Sequence, residues 1–210
     1  MALLRVVSVK FTHYKAFKNF SINLQEFNVL AGPNNSGKST IVGAFRILHE
    51  GLRKARAKNP ERVTVDGIAM QGYKINIDGL PVASENIFHD YDDSRTATIV
   101  FRLSNENILY LHFPERGLCV LVAEPKNGAI RSPSQFRNAY DIDIGFVPIL
   151  GPVEQHEPRY QKEAARKALL ASGASRNFRN IWYYYPEDFS RFRELVQSTW
   201  PGMDIERPEL

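Results

Sequence analysis

The segment that most constrains the fold lies at residues 32–39, which read Gly-Pro-Asn-Asn-Ser-Gly-Lys-Ser. A short apolar run at residues 27–31 precedes it and suits a buried parallel strand that stops at a glycine. After Gly37 the apolar residues recur at helical spacing, which predicts a helix from about residue 38 to residue 52. This order of strand, glycine-rich turn and helix favours an α/β fold.

The residue types of this segment suit the binding of phosphate. The pattern G-x-x-x-x-G-K-[ST] is complete, and its glycines allow backbone angles that other residues avoid. Consecutive amide N–H groups at a helix N-terminus attract anions. Lys38 supplies a mobile charge for the β- and γ-phosphates, and the Ser39 hydroxyl is the expected Mg²⁺ ligand. We therefore predict that ATP and Mg²⁺ bind at Gly32, Pro33, Asn34, Asn35, Ser36, Gly37, Lys38, Ser39 and Thr40.

The rest of the first 150 residues is mainly strand-like. Residues 14–20 look like a turn with aromatic anchors, between two N-terminal strands. Three further strands joined by short polar turns indicate an antiparallel meander. The strands are predicted at 5–11, 21–24, near Val63, at 73–77, 97–103, 108–113, 118–122 and 144–150.

Helix-forming residues dominate after Gly151. Helices are predicted at 161–171, at 175–185 and from Pro186 to about Trp200. We accordingly divide the chain into the start of the core at 1–60, an antiparallel lobe with a return strand at 61–150, and a helical subdomain at 151–210.

Residues 30–40, Leu-Ala-Gly-Pro-Asn-Asn-Ser-Gly-Lys-Ser-Thr, together with the preceding Phe-x-x-Phe, resemble the heads of ABC-class ATPases. These include the SMC, RecF and Rad50-like heads and the OLD-like ATPases. The resemblance implies a P-loop NTPase of ABC ATPase type, with a mixed sheet and an antiparallel β lobe followed by a helical subdomain. Residues 146–154 and 176–180 look like one subgroup, the ATPase subunits of OLD-like antiphage defence systems such as PARIS.

The resemblance also suggests a further catalytic contact after the return strand. In such heads a glutamine near this position touches Mg²⁺ and the attacking water, which makes Gln155 the candidate here. Glu154 is the competing candidate, and a solvated loop glutamine is an equally good interpretation.

Residues 119–125, Cys-Val-Leu-Val-Ala-Glu-Pro, imitate a Walker B strand, but Ala123 stands where the Mg²⁺-holding aspartate belongs. The segment also precedes the helical part, so we interpret it as a hairpin strand with Cys119 in the core. Residues 151–210 contain no apolar strand that ends in Asp-Glu, no signature motif and no switch histidine. Hydrolysis in this class needs such groups, so we expect these residues to be the N-terminal half of a longer ATPase.

Composition limits the class of protein and the compartment that we expect for it. The 210 residues have a formal net charge of +4, 11% aromatic residues and one cysteine, which excludes a disordered chain and an internal disulfide. No apolar stretch suits a membrane helix, and a cytoplasmic location follows as the default. The basic run at 53–62 is interpreted as a solvated helix end, in preference to a DNA contact. Arginines lie among the aromatic residues at 176–193. We interpret this segment as a core or a subunit interface, in preference to a binding site for single-stranded nucleic acid.

Three functions remain open at this point. The first is an ATP-driven switch whose heads pair as homo-oligomers and control a nuclease or toxin effector, as the resemblance implies. The second is a RecF- or SMC-like ATPase that clamps DNA. The third is a nucleotide-binding scaffold without hydrolysis.

Overall fold

The computed structural model describes residues 3–77, 80, 86–146, 156–168 and 174–209. Its contacts divide the chain into a first unit, Met1–Ile144, and a second unit, Gly145–Leu210. The predicted three-part division of the chain is neither supported nor contradicted by this separation.

The first unit is built on a seven-stranded sheet in the order β2-β1-β5-β6-β7-β4-β3, and every strand pair in it is antiparallel. The strands are β1 (Val6–Tyr14), β2 (Phe17–Asn23), β3 (Glu61–Val65), β4 (Ile68–Ile75), β5 (Ala97–Leu103), β6 (Ile108–Phe113) and β7 (Cys119–Glu124). Alternate residues of β5 are buried, as expected for a sheet with one face on the core. The predicted meander at 97–122 is therefore confirmed.

Helix α1 (Lys38–Ala55) supplies the other half of this core. Its buried residues recur three or four apart, for example Ile41, Ala44, Leu48 and Leu52, so one stripe faces the sheet. Gly51 brings the helix close to the sheet, because a Cβ there would lie 2.9 Å from Cδ1 of Ile75 and 3.0 Å from Cδ2 of Leu121. The predicted helix is thus confirmed and ends slightly later than expected.

A short helix, α2 (Pro133–Ala139), was not predicted. Its signals are nevertheless in the sequence: the Ser132 hydroxyl accepts a hydrogen bond from the Gln135 amide, and Pro133 opens the first turn. Phe136 is fully buried and anchors the helix to the core.

Two expectations for this part of the chain are wrong, and a third is tested only at three of its residues. Only residues 15 and 16 form the first turn, because residues 17–20 belong to β2. Residues 27–31, all of them described, form no strand, and Phe27 and Val29 are 83% and 73% exposed. An extended segment becomes a strand only with a hydrogen-bonded neighbour, and no described residue pairs with this one. Residues 144–146 of the predicted return strand are likewise irregular, and residues 147–150 lie outside the described residues.

The second unit is helical. It contains α3 (Lys162–Ala168), α4 (Phe178–Tyr184) and α5 (Phe189–Thr199), with 3-10 turns at Ala174–Asn177 and Pro186–Asp188. The ring of Trp182 lies 4.9 Å from that of Phe192 and 5.2 Å from that of Phe189, centroid to centroid. These aromatic residues therefore pack on one another, which agrees with the first of the two interpretations of this cluster, a core or a subunit interface. No described helix is both long and apolar enough to cross a membrane.

Candidate functional site

The glycine-rich loop adopts the backbone that its sequence requires. Gly32, Asn35 and Gly37 have φ angles of +153°, +63° and +89°, and these positive values strongly favour glycine and are tolerated by asparagine. The amide of Ser36 donates to the carbonyl of Pro33, which closes the turn inside the loop. Residues 33–36 are exposed, so their backbone is accessible to a ligand.

Gly37 lies directly against the ring of Phe17. The ring of Phe17 in turn stacks on Phe20 at 4.5 Å and contacts Phe11 at 5.2 Å, centroid to centroid. The three phenylalanines of the β1–β2 hairpin therefore support the loop at the point where α1 begins. The Phe-x-x-Phe pattern of Phe17 and Phe20 does not by itself indicate this role in the site.

The ammonium of Lys38 lies over the loop. Its Nζ donates to the carbonyl oxygens of Gly32 at 2.7 Å and Pro33 at 2.6 Å, and to Oγ of Ser36 at 3.2 Å. The positive charge is thereby held where the loop amides would meet a phosphate. Because an ammonium has three donors, phosphate oxygens must replace some of these loop acceptors when a nucleotide binds.

No side-chain cap or acidic side chain of α1 competes with an anion for the amide groups at the N-terminus of this helix. Gly37 offers no side-chain cap, and the first turn of this fully described helix contains no acidic residue. The positive end of an 18-residue helix dipole is therefore available to a phosphate. Ser39 is exposed at this end, whereas Thr40 is turned into the core and only 9% exposed.

These residues fit a nucleotide with its metal ion. The Ser39 hydroxyl would give Mg²⁺ one oxygen, and phosphates and water would complete the octahedron. Among the described residues no group of three or more His, Cys, Asp or Glu side chains is arranged to hold a metal ion. The two further candidates, Gln155 and Glu154, lie outside the described residues.

The basic run that begins in the last turn of α1 makes contacts within the chain. Arg53 pairs with Glu50 at 2.7 Å. Arg56 pairs with Asp143 at 2.6 Å and donates to the carbonyl of Ile142 at 2.6 Å. The guanidinium of Arg56 therefore connects the end of α1 to the segment that follows α2, which is a structural role.

The Walker B-like segment is a strand of the meander, as its sequence context indicated. It forms β7, between β6 and β4, and the Cys119 side chain is fully buried. Burial raises the pKa of the Cys119 thiol, so this cysteine is a protonated core residue at neutral pH.

Comparison with known proteins identifies the family of the chain. Residues 5–181, well over half of the chain, match a family model described as an AAA ATPase domain. No curated protein sequence matches the chain. An AAA ATPase domain implies nucleotide binding, usually with Mg²⁺. The chain belongs to the AAA ATPase domain family, and this membership points to the function of an ATP-binding ATPase.

Proposed function

We propose that this chain is the nucleotide-binding head of an ABC-class, OLD-like ATPase, in which bound Mg²⁺-ATP brings two heads together. The observation that carries the proposal is the position of Lys38, whose ammonium lies over a positive-φ loop at an uncapped helix N-terminus. That arrangement offers a phosphate chain backbone amides, a helix dipole and a mobile cation at one point.

The proposed roles follow from this placement. The loop amides bind the phosphates, and Lys38 moves from the carbonyls of Gly32 and Pro33 to the β- and γ-phosphates. The Ser39 hydroxyl binds the Mg²⁺, which neutralises phosphate charge when it is present. Residues 33–36 and Ser39 are exposed, so a second copy of the chain would be able to reach a nucleotide held by the nucleotide cradle, residues 32–40.

We further propose that the paired heads control an effector subunit, a nuclease or a toxin, in bacterial antiphage defence. This step is supported only by the resemblance of residues 146–154 and 176–180 to that subgroup. A DNA clamp receives no support from the basic run, because Arg53 and Arg56 pair with acidic residues of the chain.

Light scattering of the chain tests the proposal. Mg²⁺ with a non-hydrolysable ATP analogue is expected to double the molar mass of the wild type and of Lys58→Ala, an exposed basic residue beyond α1. Lys38→Ala is expected to keep the mass it has without nucleotide. An unchanged mass of the wild type, in a sample shown to bind the analogue, would contradict nucleotide-driven pairing.

A further inference from the structure

Residues 87–92 hold the turn between β1 and β2. The Lys15 amide donates to the carbonyl of Ile87 at 2.8 Å, and Tyr14 forms an antiparallel bridge with Phe88. Ile87 and Phe88 are 2% and 5% exposed, so their side chains belong to the core. Residues 87–92, which are distant from the β1–β2 hairpin in sequence, are therefore fixed to its tip.

Two histidines add hydrogen bonds in opposite directions between these segments. Nδ1 of His89 donates to the carbonyl of Lys15 at 2.8 Å, and Nε2 of His13 donates to the carbonyl of Asp92 at 2.7 Å. A carbonyl oxygen only accepts, so each of these ring nitrogens carries a proton. The side chains of His13 and His89 are 12% and 20% exposed, and their rings meet edge-on at 6.1 Å between centroids. We call this pair the histidine clasp.

The backbone on both sides of the histidine clasp is strained. Left-handed φ angles occur at His13 (+54°), Lys15 (+49°), Asp90 (+52°) and Tyr91 (+59°). Residues with a side chain rarely adopt this conformation, and it adds a cost in the free energy of folding. Strained residues persist only where their surroundings over-determine them, and they concentrate at functional sites. The histidine clasp provides that determination here, and the residue directly after the turn indicates which site the turn serves.

Phe17 is that residue, and its ring lies against Gly37 of the glycine-rich loop. Gly37 is the N-cap of α1, and its carbonyl accepts a hydrogen bond from the Ile41 amide at 3.0 Å. The position of the turn therefore sets the position of the Phe17 ring, and the ring limits where the loop and the start of α1 can lie. Affinity for a ligand rises when the groups that bind it are already held in the bound conformation.

We propose that His89 is a positioning residue of the nucleotide cradle. Its hydrogen bond to Lys15 holds the strained turn, the turn holds the Phe17 ring, and the ring keeps the loop in the conformation that receives the phosphates. His13 supports the same turn through its hydrogen bond to residues 87–92. The inference rests on the proposed binding of Mg²⁺-ATP at the nucleotide cradle, and it assigns a part in that binding to a residue outside the sequence motif.

Calorimetric titration of the full chain with Mg²⁺-ATP tests this role. His89→Ala is expected to weaken binding about three- to tenfold, the factor that corresponds to one lost hydrogen bond. His89→Phe keeps the size of the ring without the donor and should show the same loss. His89→Asn should bind within about twofold of the wild type, because its amide nitrogen and the histidine Nδ1 are both donors bonded to Cγ.

Asn107→Ala is the matched control for a general loss of stability. The Asn107 side chain is 7% exposed, donates to the carbonyl of Ala139 at 2.8 Å and accepts from the Lys126 amide at 2.8 Å. It lies beside the ends of β5 and β6 that are farthest from the turn between β1 and β2. At a titration temperature where circular dichroism shows each variant to be folded, Asn107→Ala should keep wild-type affinity although its Tm is lower.

A double substitution tests the route through the ring. In a Phe17→Leu background, His89→Ala should weaken binding by less than about twofold, because the ring that transmits its effect is absent. The same factor in both backgrounds, wild-type affinity of His89→Ala and His89→Phe, or an equal loss in Asn107→Ala would each overturn the inference while leaving the nucleotide cradle intact. Failure of the wild type to bind Mg²⁺-ATP would overturn the nucleotide cradle itself, and this inference with it.

Discussion

The ring of Phe17 occupies the space that a side chain at residue 37 would need. A Cβ added to Gly37 would lie 2.4 Å from Cζ and 2.7 Å from Cε1 of Phe17. Gly37 also has a φ of +89°, so two independent constraints disfavour other residues there. Gly37 precedes the first residue of α1. The β1–β2 hairpin is therefore in direct contact with the glycine-rich loop at the point where α1 begins.

The first prediction concerns this contact. Gly37→Ala is expected to destabilise the chain by about 2–4 kcal/mol, the sum of a left-handed backbone cost and an overpacking cost. Chemical denaturation measures the change in the free energy of unfolding. Gly67→Ala is the matched control, because Gly67 has a φ of +78° and no atom within 4 Å of an added Cβ. It should show the backbone cost alone.

A double substitution separates the two costs further. In a Phe17→Ala background, Gly37→Ala should cost no more than Gly67→Ala does in the wild type, because the ring that causes the clash is gone. If Gly37→Ala costs the same in both backgrounds, the contact with Phe17 does not constrain residue 37.

The second prediction concerns the end of α1. Arg56→Gln should destabilise the first unit by about 1–3 kcal/mol, because its part-buried hydrogen bond to the carbonyl of Ile142 and its ion pair with Asp143 would be lost. Arg53→Gln is the control, since its partner Glu50 lies three residues away on the same helix and such i,i+3 pairs contribute less than about 0.5 kcal/mol. Thermal unfolding followed by circular dichroism measures both. Equal effects would show that Arg56 is only another surface charge.

The third prediction concerns the second unit. The Asn180 side chain is fully buried, and its amide donates to Glu157 at 2.7 Å and to the carbonyl of Pro158 at 2.8 Å. Its Oδ1 accepts from the Tyr160 amide at 2.8 Å. Asn180→Ala would leave these groups unpaired and should cost about 1–3 kcal/mol.

Fluorescence of Trp182, which belongs to the same helix, reports this loss. Ser190→Ala, at an exposed position of α5, should leave the unfolding transition unchanged. A midpoint for Asn180→Ala equal to that of the wild type would contradict the structural role of this hydrogen-bond network.

The fourth prediction concerns alkaline pH. Burial raises the pKa of Cys119 above its ordinary value of 9.0, so the folded chain holds this proton more tightly than the unfolded chain does. The stability it contributes is complete below pH 9 and decreases as pH rises above that value. Denaturation curves from pH 7 to pH 10.5 should show this decrease, and it should be smaller in Cys119→Ala. A thiol reagent that labels the native protein rapidly at pH 8 would contradict the burial.

The sequence predicts an element well when the segments that pack or pair with that element are close to it along the chain. Helix α1 and strands β5 to β7 were predicted because their patterns are local and their neighbours are close in sequence. The strand at residues 27–31 was predicted from an apolar run, yet apolar character does not provide the neighbouring strand that a ladder requires. Helix α2 was not predicted because a helix of seven residues has almost no periodic pattern of apolar residues. The serine at its N-cap, Ser132, is nevertheless a signal that the sequence contains.

The candidate site also contains residues that the sequence predicts and a contact that it does not. The loop residues from Gly32 to Ser39 follow from the sequence motif, because the backbone angles of the loop demand glycine at fixed positions. Thr40 was included with them, but its burial turns it away from the exposed end of α1. The contact between Phe17 and Gly37 joins residues 20 positions apart on different elements, so only the folded chain reveals it.

The most direct test of the account is calorimetric titration of the full chain with Mg²⁺-ATP, for the wild type, Lys38→Ala and Lys58→Ala. The account predicts saturable binding with one site per chain in the wild type and in Lys58→Ala, and no measurable binding in Lys38→Ala. Wild-type affinity in Lys38→Ala would contradict the assignment of residues 32–40 as the nucleotide cradle.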